Sequence, residues 1–511
     1  DSLLSPVMKL AIIVSALGGA ACFAPHGFRR SFAPRPAPLH HSSGAAAALE
    51  SPPPSWDELA ELAGPAERRP AKLTFYRDTN GWCPFCERVW VALELKGLAY
   101  EEVLINLYDK PQWYKDLVPS ALVPAIEIHD EAFLEQEKKP GSSARGLVPE
   151  SADIMKLLDS EFPVAGGARL YPAAAGEKSA EFDKAMEVAE LMTNKGFAYS
   201  FGARNKSVTE EGRLERKVAF ERALDEAETH LAAHGGPFLA GPEITAADLV
   251  AIPMMERYRY QLPLMAGSAS PALHGPEAMA QGRPKLSGWF DALDASPGYA
   301  ARARGDAYSW TAVTSTFLRV FSSAEPEQLA AADAAAEEVL LQAASPEAAA
   351  EAVAAGSSAG AAAVEAARKL ISNHEAVVAD ACRADPKSQL QLARITAASH
   401  PAPAASEGGA SEGGASEGGA SEEGLRAEVD AMLREAAAGL LAHAKAEAQA
   451  EVQGGQAQNA QGALQPPRPA KSPVARAAAR LVASRLCAPR DMGAPAAAVL
   501  RARLMAMAAS P

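Results

Sequence analysis

Two cysteines separated by two residues are the strongest chemical signal in this sequence of 511 residues. The tetrapeptide Cys83-Pro84-Phe85-Cys86 stands where a predicted strand and loop lead into a helix that begins at Pro84. Helix-start N–H groups and the helix dipole favour a thiolate at Cys83. The dipole supplies only about 0.3–1 kcal/mol, so hydrogen bonds from backbone amides or from the Cys86 thiol must supply most of the stabilisation. Cys86 is expected to lie behind Cys83 and to be less exposed.

Three interpretations of this pair are open. A CxxC pair can form half of a zinc site, but no second CxxC or CxxH follows, so no metal is expected. Two buried, inert thiols are the second interpretation. The third, a redox pair on a sheet–helix scaffold, is the one that the flanking elements favour. The remaining cysteines are too few and too scattered for a disulfide scaffold; they are Cys22, Cys382 and Cys487.

Signals for strands and helices alternate around the cysteines. The patterns predict strands at 72–76, 100–105, 123–128 and 146–149, helices at 84–96, 111–117 and 151–160, and a polar insertion at 129–145. This order in fewer than 100 residues predicts a small mixed sheet flanked by helices, an α/β domain.

The strand signals vanish after Phe162, and apolar residues then recur at helical spacing in 180–199, 210–234 and 246–258. The second domain is therefore predicted to be all-α. Thr245-Ala246-Ala247-Asp248 is a capping box, which gives Asp248 a structural role.

The end of the chain differs sharply in composition. All of the 6 Trp, 10 Tyr and 15 Phe residues precede residue 322, and a stretch without large rings fills a compact core with difficulty. We therefore expect a weakly structured, Ala-rich extension at 322–511. Repeats of Ala-Ser-Glu-Gly-Gly predict a flexible linker at 405–424, and propensity predicts helices at 425–449 and 474–508, the second broken by a turn at 489–493.

The start of the chain is predicted to be a targeting segment. Met8, the expected initiator, and Lys9 precede an apolar run at 10–22 that is too short to span a bilayer. Residues 2–49 contain no Asp or Glu, as in transit peptides. The segment 1–49, with Phe23 at its junction, resembles the two-part presequences of algae with complex plastids, so we expect a chloroplast location, with secretion as the alternative. A proline-containing spacer at 50–70 precedes the fold.

Charge excludes one class of partner. The net charge of −14 argues against nucleic-acid binding, which needs a basic surface. No membrane association of the mature chain is expected.

Five ordered motifs lie at 82–90, 106–114, 122–124, 150–154 and 236–248. Together they resemble the cysteine-type glutathione S-transferases, most nearly the omega, lambda and dehydroascorbate reductase classes. The resemblance covers about residues 71–310. It implies a thioredoxin-like domain at 71–165 and an all-helical domain at 176–321, the glutathione S-transferase fold.

The resemblance also implies glutathione as co-substrate and a set of residues that bind it. Glu150 would pair with the γ-glutamyl amine, and Ser151 with its helix-start amide would hold the neighbouring carboxylate. A cis bond between Val123 and Pro124 would turn the Val123 backbone toward the cysteinyl part of glutathione. Lys110 would meet the glycyl carboxylate, and Phe85 completes the set. The plainer alternatives are a helix cap for Glu150 and Ser151 and a solvated charge for Lys110.

A cysteine where conjugating transferases use Ser or Tyr implies a different reaction. Cys83 would attack a glutathionylated or oxidised substrate and form a mixed disulfide, which a second glutathione would release. Cys86, which departs from the lambda-like pattern, would act as a resolving thiol. We expect a glutathione-dependent thiol transferase or reductase acting on dehydroascorbate or on small glutathione conjugates, as a monomer or homodimer. The alternatives are a non-catalytic module with a scaffolding extension, conjugation of electrophiles, which the cysteine disfavours, and a glutathione-bound iron–sulfur cluster.

Overall fold

The computed structural model describes residues 52–65, 71–129, 146–163, 169–172, 177–233, 235–267, 270–322, 324–383, 422–452 and 467–509. The predicted targeting segment at 1–49 lies outside these ranges, as do positions 130–145 of the predicted insertion. Of the predicted flexible linker, only residues 422–424 are described, and they begin a helix.

A four-stranded mixed sheet presents the cysteine loop, as the sequence predicts. Its strands are β1 (Leu73–Asp78), β2 (Tyr100–Ile105), β3 (Ala125–Ile128) and β4 (Leu147–Pro149), in the order β2-β1-β3-β4. β1 runs parallel to β2 and antiparallel to β3, which runs antiparallel to β4. All six residues of β1 are buried, so the strand that leads to the cysteines is anchored along its whole length.

Helices α2 (Pro84–Leu95), α3 (Gln112–Leu117) and α4 (Ser151–Glu161) complete the first domain. Val89, Trp90 and Leu93 of α2 are buried between the sheet and the second domain. The Trp90 indole Nε1 donates a hydrogen bond to the Tyr100 hydroxyl at 2.8 Å. Fully burying such an apolar side chain contributes about 1.5–3 kcal/mol, so packing fixes the orientation of the helix that begins beside Cys83.

The second domain is all-helical, as predicted, and shares one continuous core with the first. The helices are α5 (Glu177–Arg204), α6 (Glu210–Ala233), α7 (Ala246–Ala266), α8 (Gly275–Ala280), α9 (Pro284–Asp294), α10 (Pro297–Ala300) and α11 (Ala307–Phe321). The predicted capping box at the start of α7 is present. The buried Asp248 carboxylate accepts hydrogen bonds from Thr245 N, Leu239 N and Trp289 Nε1, each at 2.9 Å. Its predicted structural role is confirmed.

The expectation of a weakly structured extension is wrong for its described part. That part forms α12 (Pro326–Ala343), α13 (Pro346–Gly356), α14 (Ala359–Arg383), α15 (Glu422–Val452), α16 (Pro473–Arg485) and α17 (Ala494–Ala508). Helices α13 to α17 surround a second core that is rich in buried leucines and alanines, and α12 packs against α11. The turn predicted at 489–493 does separate α16 from α17.

Small side chains explain how the extension forms a core although it contains no aromatic residues. Ala362, Ala363, Ala366 and Ala367 recur at helical spacing on α14, and all four are buried. Alanine has the highest helix propensity and lets two helices approach closely. Leucines from α15 and α17, such as Leu433, then fill the remaining space. The extension therefore forms a packed core through close helix contacts, which do not require aromatic residues.

The predicted spacer at 50–70 is also wrong in part, because it contains α1 (Trp56–Ala63). A capping box between Ser55 and Glu58 begins this helix, a signal that the surrounding prolines masked. Leu59 is buried in the second core, and the Trp56 indole Nε1 donates to Asp430 Oδ1 at 2.7 Å. The segment before the first domain thus packs against the extension.

The turn between α16 and α17 reaches the loop that precedes Cys83. Gly81 has φ of +66°, and a Cβ atom added to it would lie 3.4 Å from the Arg490 backbone N and 3.7 Å from the Pro489 Cγ. Arg302 Nη1 donates to the Pro489 carbonyl at 2.6 Å, which holds the turn in place. None of the described helices is long and apolar enough to cross a membrane.

Replacing Leu433 by Ala tests whether the second core is packed as described. Leu433 is fully buried, so Leu433→Ala should lower the free energy of unfolding by about 2–5 kcal/mol through cavity formation. Leu341, which is 53% exposed, provides the control, and Leu341→Ala should change it by less than about 0.5 kcal/mol. Urea denaturation followed by far-ultraviolet circular dichroism measures both. Equal, negligible effects would contradict a packed extension.

Candidate active site

The loop between β1 and α2 places the two cysteines at the amino terminus of a helix. Cys83 is the N-cap residue of α2, and its Sγ accepts a hydrogen bond from the Cys86 backbone N at 3.4 Å. Pro84 occupies the first helical turn, where its missing N–H costs nothing. Cys83 is 4% exposed and Cys86 is 1% exposed. The prediction that Cys86 is less exposed than Cys83 is confirmed.

The two thiols have different environments. Burial raises the pKa of the Cys86 thiol well above its usual value, and the nearby Cys83 and Asp78 raise it further. Cys86 therefore remains a neutral thiol at physiological pH. Cys83 has the helix-start amide on its sulfur, so of the two it is the better placed to be a nucleophile.

Three cations act on the Cys83 sulfur from different elements. Burial lowers the pKa of Arg88 to about 10, and the negative charge on Cys83 opposes that shift. Burial lowers the pKa of Lys110 as well, again against the charge on Cys83. For Arg257, burial is outweighed by anions that include Cys83, and its pKa is raised. Arg88, Lys110 and Arg257 therefore approach Cys83 from three different parts of the chain.

The cis peptide bond implied at Val123-Pro124 is present. The Val123 carbonyl oxygen lies 3.9 Å from Cys83 Sγ, which places this turn directly beside the nucleophile. The Tyr114 hydroxyl donates to the Leu122 carbonyl at 2.6 Å and so fixes the turn from α3.

Sheet pairing brings Glu150 and Ser151 to the same edge. Pro149 at the end of β4 pairs with Ala125, two residues after Val123. Glu150, which is exposed, has φ of +75° and directly precedes α4. A non-glycine residue in this region stores of order 1–3 kcal/mol of strain, which is typical of ligand-binding sites. Ser151 is the buried first residue of α4.

Lys110 and Phe85 are both half-buried. Lys110 lies in the loop before α3, close enough to Cys83 for their charges to interact. The Phe85 ring stacks against the Arg88 guanidinium, with the guanidinium carbon 5.1 Å from the ring centre. The contacts of Glu150, Ser151, Val123, Pro124, Lys110 and Phe85 with glutathione remain predictions.

Sequence reasoning missed Arg257, which reaches the cysteine loop from α7 in the second domain. Its Nη2 donates to the Trp82 carbonyl at 3.0 Å and its Nη1 to Glu87 Oε2 at 2.7 Å. The guanidinium also lies over the Trp310 ring, 4.3 Å from its centre. No local pattern could have revealed this residue, because its two hydrogen-bond partners at the cysteine loop, Trp82 and Glu87, precede it by about 170 positions.

Sequence reasoning also missed Asp78, the last residue of β1. Its Oδ2 accepts a hydrogen bond from the Trp82 backbone N at 2.7 Å. A carboxylate oxygen of Asp78 and the sulfurs of Cys83 and Cys86 lie within 4.8 Å of one another. Within the described residues this group has three possible metal donors, one fewer than a structural zinc site uses. An acidic residue at the end of a buried strand, five positions before Cys83, was the available signal.

Removing the Arg257 guanidinium tests how strongly the two domains are joined at the site. Arg257→Met leaves the Glu87 carboxylate buried without its cation, which should lower the free energy of unfolding by about 3–5 kcal/mol. Lys184→Met, which breaks an exposed ion pair with Glu226, is the control and should change it by no more than about 1 kcal/mol. Urea-unfolding midpoints measure both.

The double variant Arg257→Met with Glu87→Gln refines this test. The neutral amide that Glu87→Gln introduces removes the uncompensated charge, so part of the lost stability should return. If Arg257→Met is as mild as Lys184→Met, the buried ion pair does not hold the loop.

Comparisons with known proteins agree with this geometry. Residues 82–161 match the family profile described as glutathione S-transferase, N-terminal domain. Residues 210–292 match the profile described as glutathione S-transferase, C-terminal domain. The two matched segments contain both cysteines, the Val123-Pro124 bond, the start of α4 and Arg257.

Individual relatives cover between about a third and a half of this chain. Glutathione S-transferase DHAR2 of Arabidopsis thaliana is 32% identical over 178 residues, which is 35% of this chain and 68% of the relative. Protein IN2-1 of Zea mays is 32% identical over 223 residues, 43% of this chain and 76% of the relative. A probable glutathione transferase omega-2 of Caenorhabditis briggsae is 29% identical over 245 residues, 47% of this chain and 85% of the relative.

Proposed function

This chain belongs to the glutathione S-transferase family, and from that premise we propose that it is a glutathione-dependent thiol transferase that works through Cys83. Members of the family use glutathione as co-substrate. The observation that carries the proposal is the position of the Cys83 sulfur, which accepts the Cys86 N–H at the start of α2 and lies beside the cis Val123-Pro124 bond. A hydroxyl at this position would activate bound glutathione by a hydrogen bond, whereas a thiolate can itself form a disulfide.

The reaction that we propose is thiol–disulfide exchange. The Cys83 thiolate attacks the glutathione sulfur of a glutathionylated substrate, a Cys83–glutathione disulfide forms, and the substrate leaves as a thiol after taking up one proton. A second glutathione, as its thiolate, then attacks the mixed disulfide and leaves as oxidised glutathione, which restores Cys83. Arg88, Arg257 and Lys110 lie close enough to Cys83 for their charges to interact with it.

Binding residues around Cys83 would orient glutathione for this step. The Val123 backbone would pair with the cysteinyl residue of glutathione, which brings its sulfur to Cys83. Glu150 and Ser151 would hold the γ-glutamyl group, and Lys110 would meet the glycyl carboxylate. Phe85 borders Cys83 along the helix. The substrate class that we propose is small glutathione conjugates or dehydroascorbate, on the resemblance to the omega, lambda and dehydroascorbate reductase classes. With dehydroascorbate, the Cys83 sulfur would add to a carbonyl carbon, and attack of glutathione on that sulfur would break the new S–C bond, release ascorbate and form the same Cys83–glutathione disulfide.

Intact-mass analysis after exposure to oxidised glutathione tests the central step. Cys86→Ser should accumulate a glutathione adduct, and the wild-type protein should show the adduct or the Cys83–Cys86 disulfide that follows from it. Cys83→Ser should show neither, because its hydroxyl cannot form a disulfide. Reduction of a glutathionylated substrate should fall to background in Cys83→Ser. Cys382 and Cys487 remain in every variant and report non-specific labelling. Equal labelling of Cys86→Ser and Cys83→Ser would refute the proposal.

Replacing Lys110 by Met tests its proposed contact with the glycyl carboxylate. Loss of this ion pair should raise KM for glutathione on the order of tenfold, equivalent to ~1.4 kcal/mol, and should leave kcat nearly unchanged. Lys115 of α3 is exposed, so Lys115→Met is the matched control and should leave KM unchanged. Steady-state kinetics with varied glutathione distinguish the two. A change in KM that is the same in both variants would assign no binding role to Lys110.

A further inference from the structure

We infer that Asp78 accepts the proton of Cys86 when that thiol resolves the mixed disulfide at Cys83, an inference that rests on the proposed function. A carboxylate oxygen of Asp78 and both sulfurs lie within 4.8 Å of one another, at the junction of β1 and α2. The three side chains are at most 4% exposed, so they form a buried group from which bulk water is largely excluded.

The hydrogen bonds of Asp78 leave it able to take up a proton. Its Oδ2 accepts the Trp82 backbone N–H and so fixes the loop. Its Oδ1 is buried and has no hydrogen-bond partner in the described structure. A buried acceptor without a partner is rare and calls for an explanation. A transient bond from an incoming proton would satisfy this oxygen.

Cys86 needs such an acceptor because thiols attack disulfides as thiolates. Burial raises the pKa of Cys86 well above its usual value, so the thiol does not ionise unaided. Cys83 and Asp78 are the charged groups that act on it. Once Cys83 is part of a mixed disulfide it carries no charge, which leaves the Asp78 carboxylate as the adjacent base. Glu87, the next residue along α2, is engaged with Arg257 instead.

The step balances without a further oxidant. The Cys86 proton passes to the Asp78 carboxylate as the Cys86 sulfur attacks the Cys83 sulfur. The Cys83–Cys86 bond forms, the bond to glutathione breaks, and glutathione leaves as a thiolate. The protonated Asp78 then returns its proton to that thiolate, so free glutathione is released and the carboxylate is restored. The two electrons gained by glutathione come from Cys86.

A single-turnover experiment separates the two chemical steps. The fully reduced protein is mixed with oxidised glutathione, and samples are quenched with acid at intervals. The intact mass of the protein in each sample is then measured by mass spectrometry. In the wild type, the glutathione adduct should appear and then convert to the internal disulfide. In Asp78→Asn, the adduct should form at nearly the wild-type rate, because the amide oxygen still accepts the Trp82 N–H. Its conversion should slow by about 10²–10⁴-fold, the range for loss of a general base.

Two further variants exclude a merely structural role. Asp78→Ser also retains an oxygen and lacks a base, so it should show the same selective slowing even if Asp78→Asn does not fold. In the Cys86→Ser background, Asp78→Asn should change neither adduct formation nor its release by reduced glutathione, because no thiol remains to be deprotonated.

The outcomes distinguish the inference from the function on which it rests. Selective slowing of the conversion supports the inference. An adduct that forms at Cys83 and converts equally fast with and without Asp78 overturns the inference and leaves the proposed function intact, as does an adduct that never converts in the wild type. Failure of the wild type to form any adduct at Cys83 overturns both.

Discussion

The contact between the Arg257 guanidinium and the cysteine loop is the interaction on which the rest of the site depends. One side chain from the helical domain binds both the Trp82 carbonyl, one residue before the nucleophile, and the Glu87 carboxylate, four residues after it. Burial raises the pKa of Glu87 while Arg257 opposes that shift, so each group needs the other in the low-dielectric interior. The bond therefore fixes the start of α2 relative to α7 as well as joining two domains.

The sheet supplies the other half of the site by a different means. The β3–β4 pairing places the residue before Glu150 opposite Ala125, and the cis bond at Pro124 directs the preceding turn toward Cys83. Backbone pairing determines these positions, so they are insensitive to the identity of most side chains. The position of the Cys83 loop thus depends on a specific ion pair, whereas the positions of Val123, Pro124 and Glu150 depend on the register of the sheet.

Local patterns were sufficient for the first domain and for the cysteines. The predicted bounds of β2 agree with the structure, and those of α2 differ by one residue, because strand propensity and a proline at the first helical position are local signals. Asp78 and Arg257 were not predicted, since their roles arise from contacts that the fold creates between distant residues. The second core was not predicted, because the lack of aromatic residues after position 321 was taken to indicate weak packing. The spacing of Ala362, Ala363, Ala366 and Ala367 along one helix was the better guide.

The contact of Gly81 with Pro489 and Arg490 has a consequence for how the protein is made. The loop that presents the nucleophile contains Gly81, and the turn that flanks it follows about 400 residues later in the sequence. Chains fold from their amino-terminal domains as they leave the ribosome, so the first domain and the helical domain are complete long before this turn is translated. The surroundings of the loop therefore reach their final form only after this distant turn has also been translated.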